Sequence, residues 1–408
     1  MLPTRCLRST IGFGAGRDIP TGSLAALATL LGARMTTTLW DTNGNEIVQT
    51  LSHERRAAGA IASGLALTLV VVVDEKHVAE AQTAATTAAA AHPCRLLVVV
   101  RRRMDTDDRL DAEVQVGGHL GANECVVMRM YGRLTLHAES VVLPLLAPDA
   151  PVVTWWYGPA PERIAYDPLG VLASRRVTDC VAVEDPVAEL KRRAKDYAPG
   201  DTDLAWTRAT PWRSLLASAF DDCGSRATSA QVDAEAGNPS AHLVAGWITA
   251  RLGVRSKVVE SPGPGITAVE VRFEDKSHVR VDRPDGHIAT LARTGRPARQ
   301  LPLKRRDLGD LIAEELRRLD ADQPYAEALE AATKTKGLND RQAKRVLVWK
   351  DPEPAASARS RSTAKKTAGK SVKKTAAKTA TKTATRKSTS KSAKKATART
   401  SARAKASR

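Results

Sequence analysis

At 408 residues, the chain has room for two or three domains. Its 42% hydrophobic content is enough for ordinary soluble cores. The net charge of +18 is not a property of the whole chain: Ala355 to Arg408 holds twelve Lys and six Arg with no acidic residue, leaving 45 basic and 45 acidic residues before it. Any nucleic-acid argument from basicity therefore applies to the tail alone. The longest apolar run, Leu65–Val73, has strand length and falls well short of the roughly 18 residues of a membrane span. Cys6, Cys94, Cys125, Cys180 and Cys223 lack metal-ligand spacing, which fits reduced thiols in a cytoplasmic protein.

Residues 1–34 are basic and Gly-rich, and read as a dispensable extension with translation starting at Met35. Gly12–Gly16 (G-F-G-A-G) lacks the preceding strand of a dinucleotide fingerprint. A helix is predicted from Asn43, with Asn43 or Asn45 as its cap, to Ala60. Leu65–Val73 reads as a strand covered on both faces. An Ala/Thr-rich helix follows to about Ala91, and Leu96–Val100 is a second covered strand. This is a βαβ unit, so the two strands are expected to be parallel. Leu110–Val116 and Cys125–Tyr131 extend the sheet.

The stretch Ser140–Pro161 organises what surrounds it. A helix from Leu134 to Leu146 leads through a Pro-punctuated turn to a strand carrying Trp155 and Trp156. Adjacent strand residues face opposite ways, so either both rings enter covered faces or one makes an aromatic contact. Asp167–Ala173 is helical, Val177–Val183 a strand and Pro186–Tyr197 a helix. Residues 35–200 thus form an α/β domain with a largely parallel sheet.

The connector Ala198–Arg213 adds Trp206, Arg208, Trp212 and Arg213. Thr210 is placed to cap a helix that has Pro211 at its first position. A second helix is Ser240–Leu252. Four strand-like runs follow, at Lys257–Glu260, Ile266–Phe273, His278–Asp282 and His287–Ala292, punctuated by Pro/Gly turns as hairpins would be. Helices at Asp307–Leu319 and Gln323–Thr333 close a smaller α+β domain, residues 201–350. Residues 351–408 collapse to Ala, Lys, Thr, Ser and Arg, the composition of a disordered basic tail.

Catalytic signatures are sparse. The sequence contains no phosphate loop, nucleophile elbow or H-E-x-x-H. His92 and Cys94 (H-P-C-R) could be a base and its nucleophile, but suit a helix stop followed by a small buried side chain. Gly263 and Gly265 could cradle a phosphate, although the alternating prolines favour a plain turn. Asp201 and Asp203 form a D-x-D too short to define a metal site. No catalytic, cofactor or metal residue is assigned. The candidate partner-contact residues are Trp155, Trp156, Tyr157, Trp206, Arg208, Trp212 and Arg213, of the types that dominate interface energetics.

H-P-C-R (His92–Arg95), S-V-V-L-P-L-L-A-P-D-A-P-V-V-T-W-W (Ser140–Trp156), D-P-L-G (Asp167–Gly170) and A-P-G-D-T-D-L-A-W-T-R-A-T-P-W-R (Ala198–Arg213) occur in that order. N-P-S-A (Asn238–Ala241), G-P-G-I-T (Gly263–Thr267) and A-E-E-L-R-R-L-D (Ala313–Asp320) follow. The set resembles the glucose-6-phosphate dehydrogenase assembly protein family, OpcA, in its actinobacterial form, over about Met35–Glu330. The resemblance implies a non-enzymatic cytoplasmic partner of glucose-6-phosphate dehydrogenase that promotes its active oligomer in the oxidative pentose phosphate pathway. It implies no catalytic residue.

The basic tail departs from the family pattern. Its Lys365, Lys366, Lys370, Lys373, Lys374, Lys378, Lys382, Arg386, Lys387, Lys391, Lys394 and Lys395 are candidate contacts to DNA or another polyanion. The competing classes are a nucleoid-associated protein acting through this tail and an undetected sugar-phosphate enzyme.

Overall fold

The computed structural model describes residues 36–57, 65–117, 124–221 and 223–348. The extension at residues 1–34 and the tail at 351–408, with its candidate basic residues, lie outside them.

The apolar runs become the centre of an eight-stranded sheet. Its strands are β1 (Thr36–Leu39), β2 (Leu67–Val73), β3 (Cys94–Arg101), β4 (Arg109–Val116), β5 (Glu124–Tyr131), β6 (Val152–Trp156), β7 (Arg175–Thr178) and β8 (Asp201–Asp203). They lie in the order β1-β4-β5-β3-β2-β6-β7-β8. From β5 to β8 every neighbouring pair is parallel, while β4 pairs antiparallel with both β5 and β1.

Alternation along β2 explains why the whole run is apolar. Leu69, Val71 and Val73 face a layer formed by α2 (Val78–Ala91) and α9 (Leu308–Glu315). Val70 faces α1 (Gly44–Ala57), α3 (Ala138–Val142) and α4 (Pro168–Leu172). Helices thus cover both faces, as parallel sheets require. Asn43 does cap α1, accepting from the Glu46 N–H at 3.1 Å.

The second sheet holds β9 (Ala227–Ala234), β10 (Ser256–Glu260), β11 (Ile266–Phe273), β12 (His278–Asp282), β13 (Ile288–Arg293) and β14 (Arg296–Pro302), in the order β10-β9-β11-β12-β13-β14. One face packs on α7 (Thr210–Phe220) and α8 (Pro239–Leu252) through Trp212, Leu216, Val244 and Ile248. The sheet is mixed rather than purely antiparallel, because β9 and β10 run parallel on either side of α8. The other helices, α5 (Pro186–Asp196), α6 (Leu204–Arg208) and α10 (Gln323–Thr333), share a core of Leu190, Trp206, Tyr325 and Leu329 with Leu243 of α8. Gly246 permits that contact: a Cβ there would lie 2.2 Å from the Ala328 carbonyl oxygen.

Several sequence expectations are corrected. The helix expected over Leu134–Leu146 is broken into two 3₁₀ turns around the five residues of α3. Pro144, which cannot donate a helical hydrogen bond, lies in the second of these turns. The strand expected at Val177–Val183 ends at Thr178, where Asp179 accepts from the Val181 N–H and starts a 3₁₀ turn. Thr210 does not cap α7; its hydroxyl donates to Glu314 at 2.7 Å.

The chain beyond α10 returns to the first sheet. Arg345 reaches Asp201 and the Asp196 carbonyl oxygen, and the Val348 N–H donates to the Ala165 carbonyl at 3.0 Å. Asp201 also pairs with Arg176, so one buried carboxylate faces two guanidinium groups. Nearby, Arg175 and Glu315 are a second buried pair, with the Thr207 hydroxyl on the same carboxylate.

Candidate functional site

The six parallel strands taken alone run β5-β3-β2-β6-β7-β8. That is the order of a doubly wound sheet, in which the chain leaves β2 toward one edge and β6 toward the other. Ligands and partners meet such sheets at the carboxyl ends of the strands beside this switch point.

A cleft of about 550 Å³ lies there. Asp74 and His77 enter it from the turn after β2, Tyr157 from the end of β6, Asp179 and Val181 from the turn after β7, and Arg208 from α6. Tyr157 lies tilted against His77 at 5.3 Å and meets the edge of Trp155 at 5.6 Å between ring centroids. Burial, then the neighbouring Glu80, pushes the Tyr157 hydroxyl up to about 12, so it stays protonated. Arg208 grips Asp179 with two hydrogen bonds of 2.7 Å. Burial pushes the Asp179 carboxyl up, against the pull of that guanidinium. Val181 stands at the rim with 42% of its surface exposed.

This strand order is also that of dinucleotide-binding sheets, but the residues do not fit a pyrophosphate. The turn after β2 is Asp74-Glu75-Lys76-His77, with no glycine to let a backbone approach. Glu80 occupies the first turn of α2, where phosphate oxygens would need N–H donors and no negative charge.

The second cleft, about 630 Å³, lies between α7 and the α9–α10 connection. The Arg213 guanidinium lies over the Trp206 ring, 3.4 Å from its centroid, and the Trp206 indole N–H donates to Asp322 at 2.8 Å. Burial pushes Arg213 down to about 10, despite the field of Asp322. Arg213 donates to the Thr210 hydroxyl at 2.9 Å and has no carboxylate partner among the described residues.

The candidate residues therefore separate into two groups. Trp155, Tyr157 and Arg208 come together in the switch-point cleft, while Trp206 and Arg213 meet in the second. Trp156 joins neither; it packs on the opposite face beneath α4, where Gly170 leaves space for Ile164 and the indole ring. Trp212 faces the second sheet's core, with Arg283 stacked 4.9 Å from its ring centroid. All four indoles are at most 2% exposed. Tyr157, Arg208 and Arg213 are therefore more accessible than any of the four tryptophans.

His77, Asp179 and Val181 went unnoticed in the sequence. The signal available was position, since each lies within a few residues of a strand's carboxyl end.

The other sequence candidates are structural. Cys94 is fully buried, which pushes its thiol up to about 12, and His92 contacts the Ala313 carbonyl oxygen at 3.0 Å instead of the thiol. Asp203 accepts from Thr178, Cys180 and Ala205, and Asp201 pairs with arginines; no metal-binding cluster occurs among the described residues. Gly263 and Gly265 adopt positive φ in a turn, where the Gly265 N–H donates to Glu235.

The fold and clefts thus define a doubly wound α/β protein whose switch-point cleft offers aromatic and charged groups without a nucleophile–base pair among the described residues. The N-terminal domain of the OpcA glucose-6-phosphate dehydrogenase subunit matches residues 85–195, and the C-terminal domain of that subunit matches residues 199–329. The chain belongs to this family. It is 26% identical over 185 residues to OpcA of Synechocystis sp., described as an OxPP cycle protein, covering 41% of this chain and only 39% of that relative's length.

Among solved structures, the 3-ketoreductase KijD10 from Actinomadura kijaniata is 10% identical, with a TM-score of 0.37 over 69% of this chain and 98% of the other. An NAD binding oxidoreductase from Klebsiella pneumoniae is 10% identical, with a TM-score of 0.36 over 68% and 96%. Likeness at these scores supports no inference about activity. No helix among the described residues is long and apolar enough to cross a membrane.

Proposed function

We propose that this protein binds glucose-6-phosphate dehydrogenase and raises its activity by favouring the active oligomer, with no turnover of its own. The family match over both halves of the body carries this reading. An assembly factor works by linkage: it binds the active oligomer more tightly than the inactive state, and the difference in affinity sets how far it shifts the population. It needs surface and no chemistry.

The contact surface in this reading is the rim of the switch-point cleft, where Val181 and Tyr157 flank the Arg208–Asp179 ion pair. Val181→Glu adds a charge to an exposed side chain and leaves the fold intact. At a true hot spot such a change costs about 2 kcal/mol or more, roughly thirtyfold in affinity. Val259→Glu, on the far strand of the second sheet, serves as the control. The measurements are dehydrogenase activity and sedimentation with each variant in stoichiometric excess. A Val181→Glu protein that activates like the parent would place the surface elsewhere. A parent protein that changes neither activity nor oligomer would overturn the whole reading.

A second reading rests on the tail, whose eighteen cationic residues face no acidic one. We propose that it binds nucleic acid without sequence preference through counterion release. Full-length protein and a chain ending at Pro354 should differ in DNA affinity, and the difference should shrink steeply with salt. Equal affinities at low salt would exclude it.

A further inference from the structure

Beside the switch-point cleft, and sharing Val181 and Arg208 with it, lies a smaller pocket of about 120 Å³ at the start of α8. This is several times the roughly 10–15 Å³ that admits one water. Hydrogen-bond donors line it. Asn238 caps α8 by accepting from the Ala241 N–H at 3.0 Å, which leaves its amide NH₂ without an acceptor among the described residues. The Ser240 hydroxyl, one residue past the proline that opens the helix, likewise has none.

Arg283 forms the deep wall. It is only 5% exposed and has no carboxylate partner among the described residues. Its terminal nitrogens hold the Leu303 and Ile266 carbonyls at 2.9 Å, and its Nε has no acceptor. Those two bonds fix the guanidinium plane without neutralising its charge. Gly265 lies between this wall and the cap: a Cβ there would make ordinary contact with Arg283 at 3.8 Å and with the Asn238 amide nitrogen at 3.9 Å.

Arg208 is neutralised by Asp179, and Arg306 is paired with Glu314. Arg283, Lys304 and Arg305 have no ion-pair partner among the described residues, and the lining offers them only Glu235, an exposed carboxylate already accepting from the Gly265 N–H. Asp285 acts on Arg283 from outside the lining, yet burial, then repulsion from Arg305, still pulls the guanidinium down from its ordinary value. The Trp212 ring and two carbonyls satisfy part of this buried cation, but no carboxylate pairs with it, which is costly unless an anion joins it.

We propose that this pocket is an anion site that takes the phosphoryl group of a small phosphorylated molecule. Three cations against one carboxylate leave about two positive charges, and a phosphate monoester brings about −1.5 to −2 at neutral pH. Its oxygens accept from several directions at once, matching donors on a helix start, a buried guanidinium and two exposed basic side chains. A carboxylate ligand would supply half that charge and only two oxygens.

The test uses the full-length chain without any partner, so its outcome is independent of the dehydrogenase reading. Thermal unfolding is followed in inorganic phosphate, glycerol phosphate and acetate, with sodium chloride matching ionic strength. Phosphate and glycerol phosphate at about 30 mM should raise Tm by about 2–4 °C over chloride, as ligand binding to the folded state alone does. Acetate should not. Arg283 is part of the core, so Arg283→Met alone would confuse folding with binding.

The decisive variants are Lys304→Ala/Arg305→Ala, both exposed, and Ser240→Asp, which places a carboxylate where the phosphoryl group would sit. Each retains the basic tail, so any phosphate effect of the tail persists in all of them. Both should lose the extra stabilisation. A shift reproduced by acetate, or one of full size in both variants, would overturn the proposal, as would no shift in the parent.

Discussion

The two sheets solve burial differently. The first is clad by helices on both faces, so its accessible chemistry is confined to strand ends. The second covers one face only, and its strands alternate: along β11, Val269 and Val271 are buried while Arg272 is exposed. Charge follows the same division. In the first sheet, the fully buried ion pairs lie at strand ends, as at Arg175–Glu315. In the second they spread over the open face, where Arg280 touches Glu270 at 2.9 Å and Asp282 at 2.7 Å. Covering a sheet moves its polar groups to its margins and makes each more consequential.

The largest expected effect tests that statement at a margin. Glu315→Ala leaves Arg175 buried with no opposing charge and should cost about 3–5 kcal/mol in denaturant unfolding. A loss below about 1 kcal/mol would show that the buried margin is no more demanding than an open face.

In the second sheet's core, Val271→Ala removes two buried methyl groups, at an expected cost of about 2 kcal/mol. The same substitution at exposed Val259 should be nearly silent, and equal losses would contradict the one-sided burial.

Smaller still is Arg280→Ala, which strips Glu270, Asp282 and Asp233 of a partly exposed partner and should cost about 1 kcal/mol or less. Added salt should shrink the difference between parent and variant, since exposed pairs are screened. A salt-independent loss would mean the pairs are effectively buried.

The subtlest effect involves His242 on α8, the helix between the two cores. Burial, then the positive charge of Lys191, holds its imidazole below the ordinary range. The unfolded chain takes up a proton near pH 6.5, whereas the folded chain does so only at lower pH. The stability contributed by the neutral ring is therefore complete above about pH 6.5 and declines as pH falls through and below that value. His242→Gln should flatten the stability profile between pH 7 and 5; an unchanged slope would assign the acid sensitivity to other groups.

How far the fold was legible follows from the same difference between sheets. The runs that became β2 and β3 could be read directly, because strands covered on both sides are apolar throughout. So could the parallel pairing that their intervening helix imposes. β9 escaped notice because its buried positions are Ala230, Val232 and Ala234, small residues interleaved with Thr, Ser, Gln and Asp. The alternation was present, but no apolar mass accompanied it. β8 escaped because its three residues carry two carboxylates: Asp201 is buried against Arg176 and Arg345, and Asp203 against the Thr178 hydroxyl and the Cys180 N–H.

Candidate residues were legible as types and not as a place. Tryptophan and arginine stand out as residue types, yet strand order decides that Tyr157 meets His77 and Arg208 while Trp156 faces away. Strand order is not written in any local pattern. Arg283 gave no sequence signal at all; the backbone carbonyls that hold it come from β11 and from the segment after β14.

One packing detail bears on how the molecule is made. α9 lies against α2 so closely that a Cβ on Gly309 would sit 2.7 Å from Thr87. The segment supplying Leu311, Ile312 and Leu316 to the first sheet's core leaves the ribosome roughly 220 residues after α2 does. At about 5–20 residues per second, that is on the order of 10–40 s. Throughout that interval, the outer side of an alanine-rich helix is open to water and to other chains. The first sheet is thus completed last, and a nascent chain stalled before Leu308 presents a sticky, half-clad surface for chaperones to shield.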